Sequence, residues 1–288
     1  MINVLIFGCG GYGKKVKYLL DEDEYNIIGF IDNNKYIKNI NNSMNEIGKN
    51  VYLPTEIKDL DFDFIILPII DYYKEMENQL VEILGETVRN KILKFYTDNK
   101  NIYYLDERVA MLRNCADEIY RNKVQGAVAE LGVYRGDFAK YINRYFPEKK
   151  LYLFDTFEGF NEKDKSQKEE FGIVYRKSTF KDTNISCVME KMKYKNNIIL
   201  KKGYFPATVE DLEEQFAFVS IDADLYEPIK SGLEYFYPRL NRGGYIFVHD
   251  FGGFDFIGCK KAVIEFCNEN NISYVPILDR TLSVIITK

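Results

Sequence analysis

The chain has no C-x-x-C pair, no excess of basic residues, no apolar stretch long enough to cross a bilayer and no Gly/Ser/Pro-rich linker. Each absence closes a class of function. The cysteines (Cys9, Cys115, Cys187, Cys259 and Cys267) are scattered and odd in number, which argues against a disulfide framework and for reduced thiols in a cytoplasm. A net charge of −5 leaves no electrostatic footprint for nucleic acid or an anionic membrane. No apolar run approaches ~20 residues, so no membrane span is expected. The opening M-I-N-V-L-I-F-G lacks a basic n-region, is too short for a signal peptide and reads as a first strand. No short-period repeat emerges.

What is present is a globular composition, 46% hydrophobic and 29% charged, over a length that suits one large domain or two ordinary ones. Apolar runs of strand length alternate with helical periodicity throughout, which predicts an α/β chain with two Rossmann-like domains. The boundaries expected are a nucleotide-binding-like domain over 1–97, a helical connector over 98–127 and a second domain over 128–288. Within the connector, Val109, Leu112, Ala116 and Ile119 fall on one helical face.

In the first domain the apolar run Asn3–Phe7 is followed at once by G-C-G-G-Y-G and a helical segment. Gly8, Gly10 and Gly13, with Gly11 between them, satisfy G-x-G-x-x-G, and Asp32 ends the next strand where a ribose-binding acid belongs. Further strands are predicted at Val51–Pro54, Phe62–Ile70 and Lys91–Tyr96, with a helix over Tyr73–Leu84. The segment resembles the nucleotide-binding N-terminal domains of sugar-modifying enzymes, including sugar O-acyltransferases. Three roles stay open for it: a nucleotide-sugar site, a dinucleotide site, or a structural or oligomerising domain with an empty cleft. An oxidoreductase or epimerase built on this loop lacks a Y-x-x-x-K pair in a suitable place and a partner catalytic domain.

The second domain is organised around Val128–Tyr141, V-A-E-L-G-V-Y-R-G-D-F-A-K-Y. A buried strand breaks at Gly132 and Gly136 and resumes at helical spacing with Phe138, Tyr141 and Ile142. Glu130 at the strand end would repel a pyrophosphate but suits a ligand carrying positive charge, such as the ammonium or sulfonium of S-adenosylmethionine. The next strand, K-L-Y-L-F-D, ends at Asp155, placed to accept from ribose hydroxyls. A charged run, Asn161–Glu170, reads as a solvated loop or a lid. A third strand ends at Gly203, and Tyr204 and Phe205 after it either flank an adenine or belong to the core. A fourth ends in Asp222 and Asp224, and a fifth in His249 and Asp250, with His249 the only histidine. Asp224 is expected to cap or orient the following segment rather than bind metal, with alternation along an extended backbone pointing it elsewhere. The two closing strands predict an antiparallel hairpin at the end of the sheet, the architecture of class I methyltransferases.

The blocks E-L-G-V-Y-R-G, D-T-F-E-G-F, K-G-Y-F-P-A-T-V, I-D-A-D-L-Y-E-P and Y-P-R-L-N-R-G-G-Y-I-F-V-H-D-F together resemble the macrocin O-methyltransferase (TylF-type) family from about Glu107 onward. The resemblance implies methyl transfer from S-adenosylmethionine to a sugar hydroxyl, assisted by a divalent cation, Mg²⁺ or Mn²⁺. It assigns Glu130, Gly132, Tyr134 and Gly136 to the cofactor with its methionine part held by Glu130 and the glycines. Asp155, Thr156 and Phe157 follow on the ribose side, and Gly203, Tyr204 and Phe205 lie near cofactor and acceptor. Asp222 matches a metal-binding aspartate. His249 and Asp250 stand where macrocin enzymes carry two aspartates, and an imidazole there favours Mn²⁺, Fe²⁺ or Zn²⁺ over Mg²⁺. Asp222 and His249 are the implied catalytic pair, with Asp222, His249 and Asp250 as metal ligands. For His249, ligation, general-base action and a structural hydrogen bond all remain open. The expected partner is a small-molecule or saccharide acceptor, and a cytoplasmic homo-oligomer is expected.

Overall fold

The computed structural model describes the chain except for residues 35, 40–47, 99–101, 103–104, 161–179 and 253–256. The charged run over 161–170 therefore lies outside the described residues. The chain divides into two compact units, Met1–Asp106 and Glu107–Lys288.

The first unit is a five-stranded sheet in the order β3-β2-β1-β4-β5. Its strands are β1 (Ile2–Phe7), β2 (Tyr25–Ile31), β3 (Val51–Tyr52), β4 (Phe64–Leu67) and β5 (Ile92–Lys94), every neighbouring pair parallel. Parallel sheets are covered on both faces, so β1 is apolar without interruption from Val4 to Phe7. Alternation sorts its side chains: Val4 and Ile6 pack with Val16, Leu20 and Phe30, while Leu5 and Phe7 pack with Ile57, Leu67 and Leu80. Helix α1 (Gly11–Leu19) follows β1, and α2 (Tyr73–Leu84) covers the opposite face through Leu80, over the range its periodicity predicts.

The second unit opens with α3 (Glu107–Arg121), whose buried face includes the predicted Val109, Leu112, Ala116 and Ile119. Its strands are β6 (Ala127–Leu131), β7 (Leu151–Asp155), β8 (Ile198–Lys202), β9 (Phe216–Ile221), β10 (Leu240–Val248), β11 (Val275–Pro276) and β12 (Val284–Thr287). They form a seven-stranded sheet in the order β11-β12-β10-β9-β6-β7-β8. Strand β12 inserts antiparallel between β10 and β11, so the expected closing hairpin is present. Strand β11 is shorter than its apolar run predicts, because Pro276 has no N–H to continue a ladder at a sheet edge. Among the described residues the unit also has helices α4 (Ala139–Tyr145), α5 (Ile185–Lys191), α6 (Tyr226–Arg239) and α7 (Ile257–Asn270).

Its core is aromatic. Phe236 on α6 meets Phe154, Phe205 and Phe216 with ring centroids 5.1–5.7 Å apart. A fully buried phenylalanine contributes on the order of 2–3 kcal/mol by burial, and truncating it to alanine costs about 3–5 kcal/mol. Phe154 immediately precedes Asp155, so this packing reaches the end of β7 that carries the site.

Candidate active site

Four strand ends are tied side by side by main-chain hydrogen bonds. Gly132 N–H donates to the Phe154 carbonyl at 2.9 Å, and Asp222 N–H donates to the Leu131 carbonyl at 2.8 Å. His249 N–H in turn donates to the Ile221 carbonyl at 3.0 Å. The chain then leaves each strand in an unusual conformation: Tyr134, Phe157, Asp224 and Asp250 all have φ between 49° and 60°. Non-glycine residues seldom occupy this left-handed region, and it persists only where the surroundings over-determine it.

Between these ends lies a cavity of about 350 Å³ lined by Glu130, Gly132, Tyr134, Asp155, Asp222 and His249, among others. Its floor is Glu130, 1% exposed, whose Oε2 has no hydrogen-bond partner. Burial, reinforced by the charge of Asp222, pushes the Glu130 carboxyl well above the usual range, and Arg108 only partly opposes this. A buried carboxylate without a donor is costly, so this position fits the cationic ammonium or sulfonium of S-adenosylmethionine.

Asp222 is held on both sides. Arg108 Nη1 donates to its Oδ2 at 2.8 Å, and its Oδ1 lies 2.9 Å from His249 Nδ1. Burial raises the Asp222 pKa, but the positive charges of Arg108 and His249 outweigh it and hold the carboxyl far below the usual range. Burial likewise disfavours imidazolium at His249, yet Asp222 and Asp250 raise it to about 10.

His249 Nδ1 is also 3.0 Å from Asp250 Oδ2 but points along neither contact and makes no hydrogen bond. Ligand atoms of Asp222, His249 and Asp250 all lie within 4.8 Å of one another. Adjacent ligands on an octahedral cation at ~2.1 Å are separated by ~3.0 Å, so an orphaned nitrogen between two carboxylates fits a divalent cation. The donor set of two carboxylates and one imidazole suits Mn²⁺ as well as Mg²⁺.

Asp155 serves its own loop first. Its Oδ2 accepts from Val133 N–H at 2.7 Å and Tyr134 N–H at 2.8 Å, and its Oδ1 accepts from Phe157 N–H at 2.6 Å. A carboxylate has about four acceptor directions, so three bonds leave room for one ribose hydroxyl.

Of the other sequence candidates, Thr156, Gly203, Tyr204, Phe205 and Asp250 line the cavity, whereas Gly136 and Phe157 do not. Gly136 packs against α5, where a Cβ would come 3.0 Å from Val188. Phe205 reaches the cavity wall but is 4% exposed and belongs to the aromatic core. Asp224 corrects the expectation that it points away, for it lines the same cavity as Asp222. Residues two apart fall on the same face of an extended chain, so alternation does not separate Asp224 from Asp222, and Asp224, beyond the end of β9 at Ile221, takes φ +60°. Burial and the neighbouring Asp222 and Asp250 charges raise its pKa well above the usual range.

Arg108 is the residue that pattern reading missed. It sits on the second position of α3, where the periodicity marks only Val109 and its helical companions. A cation between an acidic first turn and an apolar face carries no signal of its own.

In the first unit, a Cβ on Gly13 would lie 1.8 Å from the Gly8 carbonyl oxygen, so the third glycine serves helix–strand contact. Cβ positions at Gly10 and Gly11 face open space. Asp32 Oδ2 accepts from Cys9 N–H and Sγ–H, both at 3.1 Å, and its Oδ1 accepts from Asn34 N–H at 2.9 Å. Burial and then this bond to Asp32 push the Cys9 thiol up to about 12.

The sequence model described as Macrocin-O-methyltransferase (TylF) matches residues 98–281. The chain belongs to this family. As a TylF-family protein with a class I methyltransferase sheet, it is an S-adenosylmethionine-dependent O-methyltransferase. Residues 1–93 match a second model, described as C2185-like, N-terminal. Among relatives, the Mycinamicin III 3″-O-methyltransferase of Micromonospora griseorubida is 25% identical over 181 residues, 58% of this chain and 70% of the relative. An O-methyltransferase of Streptomyces olivaceus named for the 4′ position of a rhamnosyl-tetracenomycin is 24% identical over 183 residues, 58% of this chain and 67% of the relative. The solved O-methyltransferase NovP matches with a TM-score of 0.52 at 21% identity over 63% of this chain and 79% of that chain. The calicheamicin methyltransferase CalS11 matches with a TM-score of 0.53 at 17% identity over 81% and 89%. These two similarities establish the shared fold.

Among the described residues, no helix is long and apolar enough to cross a membrane.

Proposed function

We propose that this TylF-family protein methylates a saccharide hydroxyl, using Asp222, His249 and Asp250 to hold a divalent cation beside the S-adenosylmethionine site. The observation that carries the reading is a single cavity in which Glu130 Oε2 and His249 Nδ1 are both buried without a hydrogen-bond partner. One orphan suits a cationic cofactor and the other a metal. Relatives named for methylating a glycosylated tetracenomycin and mycinamicin support the acceptor class.

Glu130, Gly132, Tyr134, Asp155 and Thr156 would hold S-adenosylmethionine, which supplies a methyl group open to in-line attack by an oxygen nucleophile. Asp222, His249 and Asp250 would hold the cation, which stabilises negative charge developing on the acceptor oxygen. The chain's own work is alignment and proton removal. The aromatic wall of Phe154, Phe205 and Phe138 keeps water from the reacting centre, and Gly132 lets the cofactor loop lie directly against Asp222. The acceptor proton would go to a carboxylate of this site or, where His249 is neutral and not a ligand, to His249. The open space over Gly10 and Gly11 supports a nucleotide or nucleotide-sugar site in the first unit.

The deciding experiment incubates the purified chain with S-adenosylmethionine and Mn²⁺ against free, nucleotide-linked and glycoside saccharides, with a catechol as the non-sugar control. A mass gain of one methylene on a saccharide is expected. Methylation of the catechol alone would replace the saccharide reading.

A further inference from the structure

Arg108 comes from outside the strand ends that build the site, yet it is 9% exposed and reaches Asp222 Oδ2 at 2.8 Å. Its guanidinium carbon lies 3.8 Å from the centroid of the Phe138 ring, which belongs to the loop after β6. A stacked guanidinium keeps its fork in one plane, so this contact fixes the direction of the donated N–H. The consequence falls on Asp222. One of its oxygens is taken by a permanent cation, while the other, Oδ1, faces His249 Nδ1 and the Asp250 carboxylate.

We propose that Arg108 acts as a built-in competitor for Asp222, restricting that carboxylate to ligation through Oδ1 and thereby setting how tightly the site holds a divalent cation. The inference rests on the cation reading given above. Two effects act in the same direction. A carboxylate with both oxygens free can chelate a cation bidentately, and Arg108 removes that option. A guanidinium this close also repels a doubly charged ion in a site shielded from water. Weaker, one-oxygen ligation leaves coordination positions for an acceptor oxygen. Arg108 is therefore a positioning residue: it acts on the reacting centre through Asp222.

The sign of one measurement separates this from a structural role. Removing a merely structural arginine loosens the site and weakens cation binding, whereas removing a competitor tightens it. Mn²⁺ affinity would be measured on the full chain by electron paramagnetic resonance of free Mn²⁺ and by calorimetry, without acceptor. Arg108→Gln should bind Mn²⁺ at least about tenfold more tightly than the wild type, and Arg108→Lys, which keeps the charge, should stay within about threefold. Phe138→Leu removes the stacking ring and should tighten binding in the same direction by a smaller factor, which keeps the test available if Arg108→Gln does not melt cooperatively. Asp222→Asn should abolish binding in every background, locating the ion at this site.

Unchanged or weaker Mn²⁺ binding in Arg108→Gln, with the wild type binding, would overturn the role of Arg108 and leave the cation reading standing. Binding by Arg108→Gln but not by the wild type would do the reverse: it supports competition and removes the resident cation. Absence of binding in both, or binding that ignores Asp222→Asn, would remove both.

Discussion

A Cβ placed on Gly132 would lie 2.0 Å from the main-chain oxygen of Asp222. The cofactor loop after β6 and the acidic end of β9 therefore touch through backbone alone, and Gly132 also holds φ +85°. Close approach to the protein itself explains this glycine. Gly132→Ala should cost about 2–4 kcal/mol by clash and strain together. Because the displaced chain carries Asp222, turnover should fall further than the population of folded protein. A denaturant melt matching the wild type would contradict this contact.

Asp155 ties down Val133, Tyr134 and Phe157 through their backbone N–H groups. Asp155→Ala leaves those donors without a partner and should destabilise the fold by about 2–4 kcal/mol while also weakening S-adenosylmethionine binding. Asp155→Asn, which retains one acceptor oxygen, should recover part of the stability. Calorimetry and thermal melts on both variants separate the two losses. Loss of cofactor affinity with a wild-type melting curve would mean that the carboxylate serves the ligand alone.

Glu130→Gln keeps the shape of the cavity floor and removes its charge. S-adenosylmethionine affinity should drop by about 10–100-fold, the loss expected when a buried charged partner of a cation disappears. Stability should respond differently. The folded-state pKa of Glu130 is raised above its ordinary value of 4.5, so the native state holds more protons than the unfolded chain above that pH. Its contribution is complete at lower pH and is lost as pH rises toward the folded pKa. Glu130→Gln should flatten that decline in the unliganded protein, read as melting temperature against pH.

Chelation with EDTA should abolish methyl transfer and leave S-adenosylmethionine binding within about twofold, since the cation serves the acceptor oxygen. Asp222→Asn should lower turnover by on the order of a hundredfold or more with the fold retained. Full turnover after exhaustive chelation would remove the cation from the reaction and leave His249 as the proton acceptor.

In the first unit, Gly10→Val places its side chain in open space, so its melting curve should match the wild type. If the loop holds a ligand, the same change should block it. Hydrogen exchange over residues 1–93 with UDP-glucose and with NAD reads this directly. Absence of protection by either in the wild type would favour a structural role for the unit.

Much of this molecule was legible in one dimension. Short apolar runs ending in Gly, Asp or His set the strands, and in a parallel sheet the strand ends form the crevice, so the chain alone places Glu130, Asp155, Asp222 and His249 together. Helix α2 followed from periodicity because its covered face is one continuous stripe. The tertiary structure alone decided what those residues do to each other. Arg108 lies 114 residues from Asp222 in sequence, and helical spacing marks its apolar neighbours but says nothing of a long polar side chain reaching across to another strand end. Asp224 lies in the same cavity as Asp222 beyond the end of β9, where it takes φ +60°. Gly132 and Asp155 each answer to backbone brought close by folding. Periodicity records which face of an element is buried. Which atoms meet at the ends of different elements depends on the close approach of segments remote in the chain, and only the packed sheet sets that.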